Sequence, residues 1–188
     1  DIITICNGCA YTFRQVIHIL NQNRSLLNKV NEIISDTGHT FKGTAKTSHF
    51  LEVLKGEEGL RKLKNSVKYP LSGLTIATHT GCHLLSPKEI MNFDNPFDPT
   101  ILDSLVEVLG ATPADYETKT MCCGWTLMNY GAREGFYTLL GDKLGNMQKA
   151  RADCIAVVCP QCFYQFDTGQ RITSRGKMPE YNLPVFFY

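Results

Sequence analysis

The sequence predicts an α/β protein of two pseudo-repeated units, each a parallel sheet covered by helices, with the first unit incomplete in this chain. One observation is that short continuous apolar runs, such as Ile155 to Val158, alternate with helical patterns. Strands buried on both faces of a parallel sheet read this way. A second is an internal repeat: Asp1-Ile2-Ile3-Thr4-Ile5-Cys6-Asn7-Gly8-Cys9 lines up with Cys154-Ile155-Ala156-Val157-Val158-Cys159-Pro160-Gln161-Cys162, an offset of 153 residues from Cys6 to Cys159. Tyr11 and Phe13 then correspond to Tyr164 and Phe166. The third is size. A chain of 188 residues, 43% hydrophobic and 20% charged, can bury the core of one large domain or two small ones.

Taken in order, each copy of the repeat is a β-branched run, a Cys-x-x-Cys turn and a helix-like segment. Asn23 to Ile34 and Thr47 to Leu63 look helical. The charged stretch from Lys55 to Lys68, closed by Tyr69-Pro70, is a linker candidate dividing residues 1–70 from 71–188; its alternative reading is a solvated helix face. Leu74 to Thr78 reads as a strand ending at the Gly81-Cys82 turn. Pro99 to Gly110 reads as a helix with Pro near its first turn and Gly at its end. After Gly124 a long helix is expected from about Leu127 to Ala150, carrying Leu127, Phe136, Leu139, Leu140, Leu144 and Met147. Leu183 to Tyr188 reads as a strand that stops before its following helix, and the chain as one that starts partway through the first repeat.

Composition narrows the function classes. A formal net charge of +1 gives no case for nucleic-acid or membrane attraction. No apolar run approaches the roughly 18 residues of a membrane span, and no secretory signal pattern is present. Eight cysteines without secretory context favour metal or redox chemistry in a reducing cytoplasm over a disulfide framework. There is no Gly-x-Gly-x-x-Gly fingerprint, no phosphate-binding lysine loop and no serine nucleophile elbow. Electrons must therefore arrive from another protein.

The cysteines carry the chemistry. Cys82 is followed after thirty-nine residues by the adjacent pair Cys122-Cys123, and after thirty-five more by Cys159-x-x-Cys162. Adjacent side chains do not readily close a disulfide on each other, and five is an odd number. The set reads as a soft-metal site richer in sulfur than zinc needs, since a closed zinc site is satisfied with four ligands. The compressed cysteine run of ordinary cubane clusters is absent. Cys82 ends one strand, Cys159 ends another and Cys162 enters the following helix, so three distant segments can present five sulfurs at one sheet edge, where ligands collect in open α/β folds. Helix N-termini there favour thiolates.

This pattern resembles the cysteine-rich CCG domain family, as found in the B-type subunit of heterodisulfide reductase. Met121-Cys122-Cys123-Gly124-Trp125, His79-Thr80-Gly81-Cys82-His83, Asp153-Cys154-Ile155 and Phe166-Asp167-Thr168-Gly169-Gln170 fall at corresponding places in the family's second unit. Cys6-Asn7-Gly8-Cys9 matches the closing Cys-x-x-Cys of the first. The resemblance implies a noncubane [4Fe-4S] cluster in each complete unit, with Cys82, Cys122, Cys123, Cys159 and Cys162 as five ligands of one, and Cys6 and Cys9 as two ligands of another. It implies reduction of the mixed disulfide of coenzyme M and coenzyme B between two clusters. The implied partners are a ferredoxin-like subunit with cubane clusters and a flavin-containing electron-bifurcating subunit. CCG units also occur in fumarate reductase-type respiratory subunits and in lactate or glycolate oxidation proteins, where a disulfide is not the substrate.

Each of these residues has a plainer reading. The five-cysteine set can be structural zinc, Cys6 and Cys9 a small zinc clip, and the whole a zinc-stabilised interaction module. Cys154 opens an apolar strand outside the motif and reads as a buried thiol. His79 and His83 flank Cys82 and can hydrogen-bond cluster sulfur or supply protons, or can be core and capping residues. Gly124 suits a tight turn. Trp125 can shield the site or simply pack, and Arg14, Arg133, Lys149 and Arg151 are cations that can meet an anionic substrate.

Overall fold

The computed structural model describes residues 1–173 and 180–188. Strand β1 (Ile2–Thr4) runs through Cys6 into helix α1 (Asn7–Gln22). Helix α2 (Arg24–Ile34) follows, its N-terminus closed by the Asn23 side chain, which accepts a hydrogen bond from the Leu26 N–H. Thr47–His49 is a strand, β2, rather than the start of a helix. It pairs parallel with β1, Ile2 opposite Thr47, and completes a strand–helix–strand crossover whose ladder satisfies backbone groups that an early helix would leave open. Helical structure resumes in α3 (Phe50–Leu54), where His49 and Glu52 form a capping box. The predicted helix from Thr47 to Leu63 is therefore a strand and two helices, the second being α4 (Glu57–Ser66), which begins after Gly56. Most of the charged stretch is this helix, and its Lys62–Glu58 ion pair is solvent-exposed.

The second sheet is built around β3 (Thr75–His79). Short helices α5 (Cys82–Leu85) and α6 (Lys88–Met91) and helix α7 (Ile101–Val108) lead to β4 (Thr112–Pro113). Then come α8 (Trp125–Asn129), α9 (Arg133–Lys149), β5 (Cys154–Val157), α10 (Pro160–Thr173) and β6 (Val185–Phe187). The strand order is β4-β3-β5-β6, every pairing parallel. The long helix expected from Leu127 to Ala150 is split between α8 and α9, because Gly131 takes a left-handed conformation (φ 76°) that a continuous helix cannot pass through.

The repeat survives in three dimensions. Offset by 153 residues, the first positions of β1 and α1 fall on Ile155 within β5 and on Pro160, the first residue of α10. The register repeats as well: Ile2 pairs with Thr47 as Ile155 pairs with Val185, so β2 is the counterpart of β6. The units share a core. Ala10 of α1 and Leu51 of α3 pack with Leu84, Met91, Leu102, Leu105 and Val158 of the second unit. A separate core under β5 gathers Phe136, Leu140, Leu144, Met147, Ile155, Val157 and Phe166 with Cys123, Cys159 and Cys162. No helix among the described residues is long and apolar enough to cross a membrane.

Candidate metal centre

Parallel pairing of β3 with β5 brings the C-terminal ends of both strands to one edge, with His79 opposite Val157. Gly81-Cys82 leaves β3 there, Cys159 leaves β5, and Cys162 sits in the first turn of α10. Pro160 is tolerated as the first helical residue because its missing N–H has no intrahelical partner. The Cys122–Cys123 pair arrives on the turn before α8. Gly81 is required: at φ 84° it is left-handed, and a Cβ there would stand 2.5 Å from the Asn7 Nδ2 that donates to the Thr80 carbonyl at 2.6 Å.

The five sulfurs meet as an unbroken series. Cys82 Sγ is 3.9 Å from Cys122 Sγ, and hydrogen-bonding contacts run on from Cys122 to Cys123, from Cys123 to Cys162 and from Cys162 to Cys159. None forms a disulfide. The set is electrostatically divided. Cys122 accepts from Cys123 and Cys82, and from the Gly124 N–H at 3.4 Å, which pulls its thiol far below the usual range. Cys159 is lowered to about 6 by the Cys162 thiol and by the backbone N–H groups of Cys162, Gln161 and Asn7. Cys82, Cys123 and Cys162 are raised, as donors to their neighbours and by burial. Thiolate is the form that binds metal, so Cys122 and Cys159 are poised for it, while Cys82, Cys123 and Cys162 must release a proton on binding.

Three further polar side chains are buried here with atoms that find no partner: both ring nitrogens of His79, both amide atoms of Gln165 and Oδ1 of Asn7. An unmet buried polar atom costs about 1–3 kcal/mol. The ligand atoms of His79, Cys123 and Cys162 lie within 4.8 Å of one another. Gln165 lies against Gly124 and Asn7 lines the sulfur crevice. Sulfur-rich donors with the unmet donors of Gln165 Nε2 and the His79 ring beside them fit a cluster whose own sulfur atoms can accept hydrogen bonds. His79 itself is held neutral by burial and stands edge-on to Phe166. Sequence reasoning placed His79 beside the site but overlooked Gln165 and Asn7.

Cys6 and Cys9 sit apart from the five. Cys6 is half-buried and Cys9 exposed, and they hydrogen-bond each other at the start of α1. They face the second unit: Gly8 approaches Gln161, and Cys6 is close enough to Cys159 for like charge to raise its thiol, behind the larger effect of burial. Between them opens a cleft of about 550 Å³, lined on one side by Cys6, Cys9 and Tyr11 and on the other by Trp125, Tyr130 and Gln161. His83 lines it too, with Nδ1 3.7 Å from Cys82 Sγ. Arg14 is not free for a substrate, because it pairs with Glu52 and donates to the Thr47 and Met91 carbonyls.

Residues 76–167 match the family model described as a cysteine-rich domain, CCG. That stretch is a CCG cysteine-rich domain. The chain is 35% identical, over its whole length and 63% of the relative's, to the B-type subunit of ferredoxin:CoB-CoM heterodisulfide reductase of Methanosarcina mazei. It is also 35% identical, over 98% of itself and 63% of the relative, to a protein of Archaeoglobus profundus that is named for its likeness to the same heterodisulfide reductase subunit. The 8-methylmenaquinol:fumarate reductase membrane anchor subunit of Wolinella succinogenes is 27% identical over 98% of the chain and 63% of its own length. The chain thus spans less than two thirds of the relatives it matches. A crystal structure of a hypothetical protein from Helicobacter pylori superposes with a TM-score of 0.65 at 13% identity, over 92% of this chain and 30% of that one, which bears on the fold alone. In a CCG domain, cysteines clustered in this way point to an iron–sulfur cluster, and the relatives' names point to an oxidoreductase subunit.

Proposed function

We propose that Cys82, Cys122, Cys123, Cys159 and Cys162 hold a noncubane [4Fe-4S] cluster and that Cys6 and Cys9 belong to a second one. On this reading the chain is part of the catalytic subunit of a heterodisulfide reductase. The observation that carries it is the unbroken series of five sulfurs at one sheet edge, one more than a closed zinc site uses. Residues 1–70 would contribute the end of the first CCG unit and 71–188 the second.

Such a group, when bound, supplies single electrons to a substrate that needs two. The protein's own residues do the rest. The cleft between Cys6-Cys9 and Gln161, about 550 Å³, has the volume to admit a disulfide, and Trp125 and Tyr11 line its walls. Trp125 is held edge-on by Tyr164 and His83 by Tyr11, with ring centroids 5.2 and 5.0 Å apart. His83 can deliver a proton to a departing thiolate from its place in the cleft wall. The substrate would be the mixed disulfide of coenzymes M and B. Its electrons would come from a ferredoxin-like cubane subunit and a flavin electron-bifurcating subunit in the cytoplasm. A second reading, an iron–sulfur subunit of a fumarate reductase complex, is supported by the similarity to the Wolinella protein.

The test is anaerobic iron and sulfide analysis with electron paramagnetic resonance on the wild type, Cys122→Ala and Cys123→Ala. Each variant should lose the centre or rebuild it as a different one. Wild-type content and spectrum in both would sink the five-ligand reading, and zinc in place of iron would support an interaction module.

A further inference from the structure

Lys143 lies in the middle of α9 and is fully buried. An ammonium removed from water is expensive unless an opposite charge accompanies it. Among the described residues no carboxylate ion-pairs with it. Its Nζ donates instead to the backbone carbonyl of Thr118 and to that of Lys119 at 3.1 Å, and lies 5.4 Å from the centre of the Tyr116 ring. Asp103, on α7, is already engaged, paired with Lys119 and accepting from the Thr78 hydroxyl. Two carbonyls and an aromatic face are partial charges only.

The negative charge within reach of Lys143 is that of sulfur, and it is complete once the cysteines ligate as thiolates. Burial draws its pKa down to about 7, and the charges of Cys123, Cys162, Cys122 and Cys82 oppose that, holding the proton on. Four of the five clustered cysteines thus feel this one cation. The carbonyls it grips belong to the turn leading into the Cys pair, where the Met121 N–H donates back to the Thr118 carbonyl at 3.1 Å. Lys143 is therefore fixed at the root of the Cys122–Cys123 turn, pointing from α9 toward the site.

We propose that Lys143 is the built-in counter-charge of the metal centre, a positioning residue whose clamped ammonium makes the anionic centre easier to reduce. The proposal rests on the five-cysteine reading above. Its physical basis is that a fixed cation in a low-dielectric interior stabilises the more negative, reduced state of a nearby redox group. It also explains why a lysine occupies a position that α9 otherwise fills with Phe136, Leu140, Leu144 and Met147.

The experiment compares wild type, Lys143→Arg, Lys143→Met and Lys143→Gln, each prepared anaerobically with iron and sulfide, by metal content and by potentiometric titration followed by electron paramagnetic resonance. The neutral variants should titrate at more negative potential than wild type, or fail to keep the centre, while Lys143→Arg keeps both iron and potential. Gln separates charge from hydrogen bonding, because it can still donate to the Thr118 and Lys119 carbonyls. Full iron content at wild-type potential in either neutral variant overturns the proposal. So does loss of the centre in Lys143→Arg to the same extent as in Lys143→Met, which would make the role one of shape. Wild-type protein that takes up no iron and sulfide fails the five-cysteine reading itself, before Lys143 is in question.

Discussion

The two Cys-x-x-Cys segments have matching sequences, start their helices at equivalent positions and sit in strands paired in the same register, yet they live in different surroundings. Cys159 and Cys162 are buried, whereas Cys6 is half-buried and Cys9 exposed. Ile155 has no exposed surface and its counterpart Ile2 is 39% exposed; Phe166 has none and Phe13 is 42% exposed. The motif itself supplies a turn and a helix start that favours thiolate. Burial comes from other segments. β5 is flanked by β3 and β6, and α9 and the Cys122–Cys123 turn close over it, while β1 pairs with β2 alone among the described residues. A Cys-x-x-Cys turn is thus part of a site, and its chemistry depends on what is brought to it.

The strongest way to break this comparison is to remove the exposed copy. Cys6→Ala with Cys9→Ala, in the full chain, should leave the iron content and resonance spectrum of the buried set unchanged. Disulfide reduction with an artificial one-electron donor should fall to background, because the cleft is walled by both copies. Turnover near the wild-type rate would show that the buried copy works alone and that the exposed one is scaffold.

A stability contrast sharpens it. Phe166 packs edge-on against His79 with centroids 5.0 Å apart and belongs to the core under β5. Phe166→Ala should cost about 3–5 kcal/mol as a large-to-small core substitution. Phe13→Ala, at the equivalent place in the first copy, should cost under about 1 kcal/mol. Denaturant unfolding of both, at the same metal loading, checks this. Equal costs would mean that the first copy is covered by something that buries Phe13.

The ends of the paired strands differ in a titratable group. His49 closes β2 where Phe187 closes β6, and burial, with the Arg14 charge adding to it, lowers the imidazole from 6.5 to about 4. A folded-state pKa below the unfolded one means that the unfolded chain binds more protons in between. The contribution of His49 is therefore complete above about pH 6.5 and shrinks as pH falls toward 4, with a slope of at most about 1.4 kcal/mol per unit for one proton. His79 is shifted in the same direction, so His49→Phe should reduce the acid-side decline without abolishing it. Unfolding free energies measured from neutral pH down to acid, for both proteins, test the sign; an unchanged slope would remove His49 as a source.

Much of this contrast was legible in the chain and some was not. The strand β5 shows as a continuous apolar run and β3 as a short β-branched run ending at the Gly81-Cys82 turn, and the cysteine spacing marks the site because few other roles need an adjacent pair. β2 was hidden because Thr47-Ser48-His49 is polar and three residues long; only its pairing with β1 makes it a strand. The break at Gly131 was hidden in a segment whose apolar spacing reads as one helix. Lys143 looks like a solvated lysine until it is placed on the stripe of Phe136, Leu140, Leu144 and Met147, where its spacing of three from Leu140 and four from Met147 puts it on the buried face. Gln165 could have been found in the same way, one turn beyond Cys162. Its unmet amide needs the fold to be seen.

The smallest effect is expected at Cys154, and it compares two thiols at the two ends of one strand. Side chains alternate across a strand, so Ile155, Val157 and, beyond it, Cys159 join the core that contains the sulfur crevice. Cys154 and Ala156 point the other way, into a small cluster with Ile76, Val106 and Ala111. Burial raises the Cys154 thiol, with the Asp153 charge adding to it, which disfavours the thiolate that metal binding needs. Cys154→Ala should therefore keep wild-type iron content, spectrum and turnover while losing at most about 1–2 kcal/mol of stability. Iron analysis beside a denaturation curve checks both halves, and a drop in iron would place a sixth sulfur in the centre despite its position on the opposite face of the sheet.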